Sequence, residues 1–143
     1  MAVLLTSTAQ QKMFRTAAQP VSFRTYLGAS KTFARFKGYS SIPKLTSLAD
    51  FQSSIKGSKL SVVDFYATWC GPCKAMAPHL SKLVDEYPDV GFYKVDVDES
   101  PDVAQHCQVS AMPTFVFAKN GEMLGKIIGA NPQGIEQGIK QLQ

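Results

Sequence analysis

The chain has 143 residues, with 15 lysines and arginines, 11 aspartates and glutamates, and a formal charge of +4 at pH 7. The basic excess lies at one end: no acidic residue precedes Asp50, whereas residues 44–143 carry 9 basic and 11 acidic side chains, a balance of −2. That excludes a strongly basic nucleic-acid-binding domain, and no run of about 20 apolar residues offers a membrane span.

The first segment, residues 1–39, holds Lys12, Arg15, Arg24, Lys31, Arg35 and Lys37, is rich in Ser, Thr and Ala, and has no acid. This composition predicts an organellar transit peptide, with a disordered basic arm as the alternative. Val3-Leu4-Leu5 is too short an apolar centre for a secretory signal. The expected destination is the mitochondrial matrix, with the chloroplast sharing much of the same composition. The boundary falls between 24 and 45, with 24–26 and 35–41 as candidate processing regions.

Residues 40–143 remain as one domain, enough for a single modest core. Residues 46–56 predict a first helix, opened by Ser47 and Asp50 at capping-box spacing, with Leu48, Phe51 and Ile55 on one face. Residues 59–66, KLSVVDFY, predict a strand buried on both faces. A helix over about 73–87 follows, with Met76, Leu80, Leu83, Val84 and Tyr87 inward and Pro78 as a bend. Residues 91–97 predict a second strand. Ser100-Pro101 opens a short helix running to about Cys107. Residues 114–118 and 122–128 predict a hairpin about Asn120-Gly121. Asn131-Pro132 opens a last helix with Ile135, Ile139 and Leu142 inward, weakened by Gly134 and Gly138. The order implies an α/β fold: a mixed central sheet flanked by helices on both faces.

Three cysteines are too few, and odd in number, for a disulfide-stapled scaffold. In a reducing compartment a close pair reads as catalytic or metal-binding. Cys70 and Cys73 bracket Gly71-Pro72 where the buried strand gives way to a helix. Unpaired backbone N–H groups there stabilise a thiolate, and only a thiolate attacks a disulfide. Gly71 allows the tight turn; Pro72 fixes φ and gives up no needed donor. Cys73, one turn on, is placed to bond Cys70 and is expected to be the more buried. Lys74 adds a cation beside the pair, with a solvated helix lysine as the plain alternative. Trp69 either packs or meets partners.

Asp64 interrupts the buried strand. A lone carboxylate there resists ionising, and one with a raised pKa is suited to take a proton from Cys73, directly or through one water. A satisfied structural aspartate is the alternative. Lys94, in the neighbouring strand, is its candidate partner.

The stretches VDFYATWCGPCKAMAP, KVDVDE, MPTFVFAKNGE and IIGA, in that order and spacing, resemble the thioredoxin family over roughly residues 42–143. The resemblance implies a thioredoxin-like fold and a thiol–disulfide oxidoreductase that reduces protein disulfides through a reversible Cys70–Cys73 disulfide. Cys70 would attack, Cys73 resolve, and Asp64 accept the Cys73 proton. Gly71 and Pro72 would tune the potential. Pro113 would be a cis-proline facing the pair, with the Met112 backbone open to the substrate chain, and Gly129 would line the groove beside Trp69. Tyr66 stands where thioredoxins commonly carry a second tryptophan. The family implies no bound cofactor, electrons from NADPH through thioredoxin reductase, substrates such as peroxiredoxins, and a monomer.

Two rivals remain at this stage. One is a metal-binding module in which Cys70, Cys73, Cys107 and His79 or His106 hold zinc, although a second C-x-x-C is missing. The other is a disulfide oxidase or isomerase on the same fold. Cys107, outside the motif, reads first as a small buried hydrophobe and second as a regulatory thiol.

Overall fold

The computed structural model describes residues 38–143, so the expected leader up to residue 37 lies outside the described residues. A single 3-10 turn, Tyr39–Ser41, leads into α1 (Leu48–Ile55), β1 (Ser61–Tyr66), α2 (Gly71–Glu86), β2 (Gly91–Asp96), α3 (Pro101–His106), β3 (Thr114–Lys119), β4 (Glu122–Ile128) and α4 (Pro132–Leu142). The strands form one sheet in the order β2-β1-β3-β4. β1 and β2 are parallel, while β1–β3 and β3–β4 are antiparallel. The order of helices and strands, and the mixed sheet, agree with the sequence pattern.

Local chemistry explains the element starts. The Ser47 hydroxyl accepts the Asp50 N–H at 3.1 Å and caps α1. Asn131 Oδ1 accepts the Gly134 N–H at 2.9 Å and caps α4. α2 begins at Gly71, two residues before the predicted start. Pro72 accounts for the difference: its fixed φ suits the first helical turn, where a missing N–H costs nothing. The helix then continues through Pro78 to Glu86.

Two apolar layers sandwich the sheet. On one face Val62 of β1 packs with Met76 and Leu80 of α2, Phe115 and Phe117 of β3, and Ile135 and Ile139 of α4. On the other, Val63 and Phe65 pack with Phe51 and Ile55 of α1 and Val103 of α3. Each fully buried side chain of this size contributes roughly 1.5–3 kcal/mol. Side chains alternate along a strand, so Asp64 points to the face of Val62, the one covered by α2.

Residues 43–45 run along the outer edge of β2. The Lys94 N–H donates to Pro43 O at 3.0 Å and the Leu45 N–H donates to Lys94 O at 2.9 Å. This pairing, with buried Ile42, ties the N-terminal turn to the domain.

Candidate active site

Cys70 is the N-cap of α2, and its sulfur accepts the Cys73 N–H at 3.2 Å. The helix terminus therefore aims a backbone donor at this sulfur, the local field that stabilises a thiolate once the pair is reduced. Cys70 and Cys73 are joined in a disulfide, with their Cα atoms 5.3 Å apart. Both residues are 4 % exposed. The expectation that Cys73 is the more buried is therefore corrected; the difference between them lies in cap position, because the cap sulfur is the one that faces the helix donors. Ala67 and Met112 pack on the pair, together with Tyr66 and Val97.

Distant parts of the chain come together near the pair, where Met112 packs on it. The Met112–Pro113 peptide is cis, and Pro113 O accepts the Gly129 N–H at 2.7 Å. Gly129 has φ +93°, a region that L side chains rarely adopt, which accounts for glycine there. Trp69 is 66 % exposed, and its Nε1–H donates to Asp98 Oδ2 at 3.0 Å. Asp98 was not singled out in the sequence; an acid 29 residues away gives no local signal. Gly71 and Lys74 are exposed beside the pair.

Asp64 is 3 % exposed. Its Oδ2 accepts the Tyr39 hydroxyl at 2.9 Å, and its Oδ1 has no hydrogen-bond partner among the described residues. Burial pushes its carboxyl up from 3.8 to about 6, against the opposing pull of the Tyr39 hydrogen bond and the Lys94 charge. Lys94 stands opposite Asp64 in the β1–β2 register, yet the two form no ion pair among the described residues. The Lys94 ammonium instead lies 4.8 Å from the Tyr39 ring centroid and donates to Tyr39 O at 3.3 Å. Burial, then the nearby Lys44 charge, lowers the Lys94 pKa, with Asp64 opposing. Lys94 thus acts on Asp64 by its charge, while the hydrogen bond to the carboxylate comes from Tyr39. Beside Cys73 a cavity of about 350 Å³ opens between Tyr39, Tyr66, Lys74 and Ala77.

Cys107 is buried and unbonded, and burial pushes its thiol up to about 11. It packs with Val103, Phe51 and Val116. Among the described residues, no three His, Cys, Asp or Glu side chains are grouped to hold a metal ion. Among them, too, no helix is long and apolar enough to cross a membrane.

The Thioredoxin family profile matches residues 42–141. The mitochondrial thioredoxin-3 of Saccharomyces cerevisiae is 62 % identical over 104 residues, covering 73 % of this chain and 82 % of that protein. Thioredoxin from Gallus gallus is 48 % identical over 103 residues, covering 71 % and 98 %. The crystal structure of the oxidised yeast mitochondrial thioredoxin 3 superposes with a TM-score of 0.70 at 62 % identity, covering 72 % of this chain and 97 % of that one. A chain from a structural study of thiol resolution in yeast mitochondrial 1-Cys peroxiredoxin, via the glutathione and thioredoxin systems, gives 0.71 at 60 % identity, covering 73 % and 98 %.

Proposed function

The chain belongs to the thioredoxin family, and from that premise we propose that Cys70 attacks, Cys73 resolves and Asp64 accepts the resolving proton as it reduces disulfides in other proteins. The protein is a thiol–disulfide oxidoreductase of the protein-disulfide reductase kind, which disfavours both the metal module and the oxidase or isomerase. The observation that carries the assignment of roles is the Cys70 sulfur at the N-cap of α2, with the Cys73 N–H directed at it.

The cycle balances as two exchanges. The Cys70 thiolate bonds to one sulfur of the substrate disulfide, and the other sulfur leaves as a thiolate. The Cys73 proton passes to Asp64; the Cys73 thiolate then bonds to Cys70 Sγ and the second substrate sulfur leaves. Two electrons have moved to the substrate and the pair is oxidised, the state seen here. Trp69, Met112, Pro113 and Gly129 hold the substrate chain across the groove, Gly71 and Pro72 set the turn, and Lys94 acts on Asp64 across Tyr39.

The family needs no bound cofactor. NADPH is the electron source through a thioredoxin reductase, and the likeness to a chain studied with a 1-Cys peroxiredoxin supports a peroxiredoxin among the substrates. The protein works as a monomer in the mitochondrial matrix; the acid-free first segment and the yeast mitochondrial relative support that address. The test is reduction of insulin disulfides by the purified chain with NADPH and thioredoxin reductase. NADPH consumption that requires the chain and is lost in Cys70→Ser supports the reading. No consumption, with a reductase competent on a known thioredoxin, rejects it.

A further inference from the structure

Buried Asp64 is reached from a part of the chain that precedes the first helix. The N-terminal turn is fastened at three points: the Tyr39 N–H donates to Ser81 Oγ of α2 at 2.7 Å, Ile42 is buried in the core, and the following residues pair with Lys94 on the edge of β2. From this turn the Tyr39 phenol reaches inward to Asp64 Oδ2. Its ring meets Tyr66 edge-on, with centroids 6.3 Å apart, and the Lys94 ammonium lies over the ring. The phenol is thus held by its own contacts before it touches the carboxylate. The cavity beside Cys73 is lined by this same Tyr39.

We propose that Tyr39 is a positioning residue for the disulfide chemistry: its hydroxyl holds the Asp64 carboxylate by Oδ2 and leaves Oδ1 as the lone pair that takes the Cys73 proton. The turn ahead of the domain is therefore part of the redox machinery, and removal of the leader must stop before Tyr39. This rests on the reading of Asp64 as proton acceptor given above.

A carboxylate with both oxygens open can rotate and take other donors. One with Oδ2 engaged in a charge-assisted O–H···O bond presents the other oxygen in a fixed direction. The bond also favours the ionised form, which is the form that accepts a proton. Asp64 is faced by Tyr39 from the turn and Lys94 from β2, while Tyr66 of β1 and Asp96 act on the Tyr39 phenol, and Cys73 of α2 shares with Tyr39 the cavity described above. Of these, burial apart, Tyr39 has the largest effect on Asp64 and Lys94 the next. In the resolving step the proton leaves Cys73 Sγ for Asp64 Oδ1, the Cys70–Cys73 bond forms, the Cys70–substrate bond breaks, and the substrate thiolate leaves.

The variant Tyr39→Phe in the full chain keeps the ring, the Lys94 contact and the backbone bond to Ser81, and loses only the hydroxyl. Two readouts apply: the titration of the Asp64 side-chain carbon by NMR in the disulfide form, and the pH profile of mixed-disulfide resolution by stopped flow. Both are expected to move upward by about one pH unit, the equivalent of one hydrogen bond to a charged group. The shift in the kinetic profile should vanish when Asp64→Asn is added. An Asp64 titration in Tyr39→Phe that coincides with the parent's overturns the proposal, as does a kinetic shift that persists without Asp64. If Asp64→Asn alone leaves resolution unchanged, the proton-acceptor reading fails and the proposal falls with it. If Asp64→Asn slows resolution but Tyr39→Phe changes neither readout, only the role of Tyr39 is lost.

Discussion

Replacing Asp64 with asparagine removes a buried carboxyl whose Oδ1 has no hydrogen-bond partner among the described residues. The native protein raises that carboxyl from 3.8 to about 6. A group whose folded-state pKa is raised binds its proton more tightly in the native state than in the unfolded one. It therefore contributes stability below the unfolded value, and that stability is lost as pH climbs through the folded one. The gap is about two pH units at about 1.4 kcal/mol per unit, and because the unfolded carboxyl is already partly ionised at pH 4, the loss between pH 4 and pH 7 is about 2 kcal/mol. Asparagine does not titrate, so the variant lacks this decline. Denaturant melts of both disulfide-form proteins at the two pH values give a double difference, in which any fixed cost of the amide cancels. The variant should gain about 2 kcal/mol on the parent between pH 4 and pH 7. A difference between the two proteins that stays the same at both values refutes the account of Asp64 as a carboxyl strained by burial.

Three further outcomes follow from named contacts. Gly138→Ala should destabilise by about 1–3 kcal/mol in a urea melt, because overpacking outweighs the helix propensity that alanine adds; its new Cβ would meet the Phe117 ring at 2.7 Å. Ser47→Ala should cost about 1 kcal/mol by loss of the cap on α1, read as a lower melting midpoint. N-terminal sequencing of protein from isolated mitochondria should find a start after residue 23 and before Tyr39; a start beyond Tyr39 in active protein contradicts the role given to the turn.

Much of this architecture is legible locally. Each helix start carries its own cap or proline, the buried strand is a run of β-branched and aromatic residues, and Asn120-Gly121 marks the hairpin with both residues at positive φ. Cys70 and Cys73 are legible for the same reason: the chemistry needs neighbours in sequence. What was illegible is what folding brings from afar. Tyr39 lies 25 residues before Asp64, in a stretch whose charge pattern reads as leader. The bonds that tie its turn to α2 and β2 and its phenol to Asp64 exist only in the folded chain. Lys94 was named from the strand pattern as a partner of Asp64, and its charge does act on that carboxyl, but the Tyr39 phenol that bonds the carboxylate carries no signal in the strand pattern. Gly138 reads as a helix weakener in sequence, whereas in the fold it makes room for Phe117. Equal burial of the two cysteines likewise belongs to tertiary packing by Met112 and Tyr66, which no local spacing records.

The division of labour between the two sulfurs is tested most directly by trapping. Each cysteine is changed to serine in turn, the reduced variant is mixed with a disulfide-containing substrate protein, and the adducts are mapped by non-reducing electrophoresis and mass spectrometry. Cys73→Ser should accumulate a mixed disulfide through Cys70, because the attack succeeds and no thiol remains to resolve it. Cys70→Ser should accumulate none. Trapping by Cys70→Ser through Cys73, with none by Cys73→Ser, would contradict the assignment of the helix-cap sulfur as the attacking group.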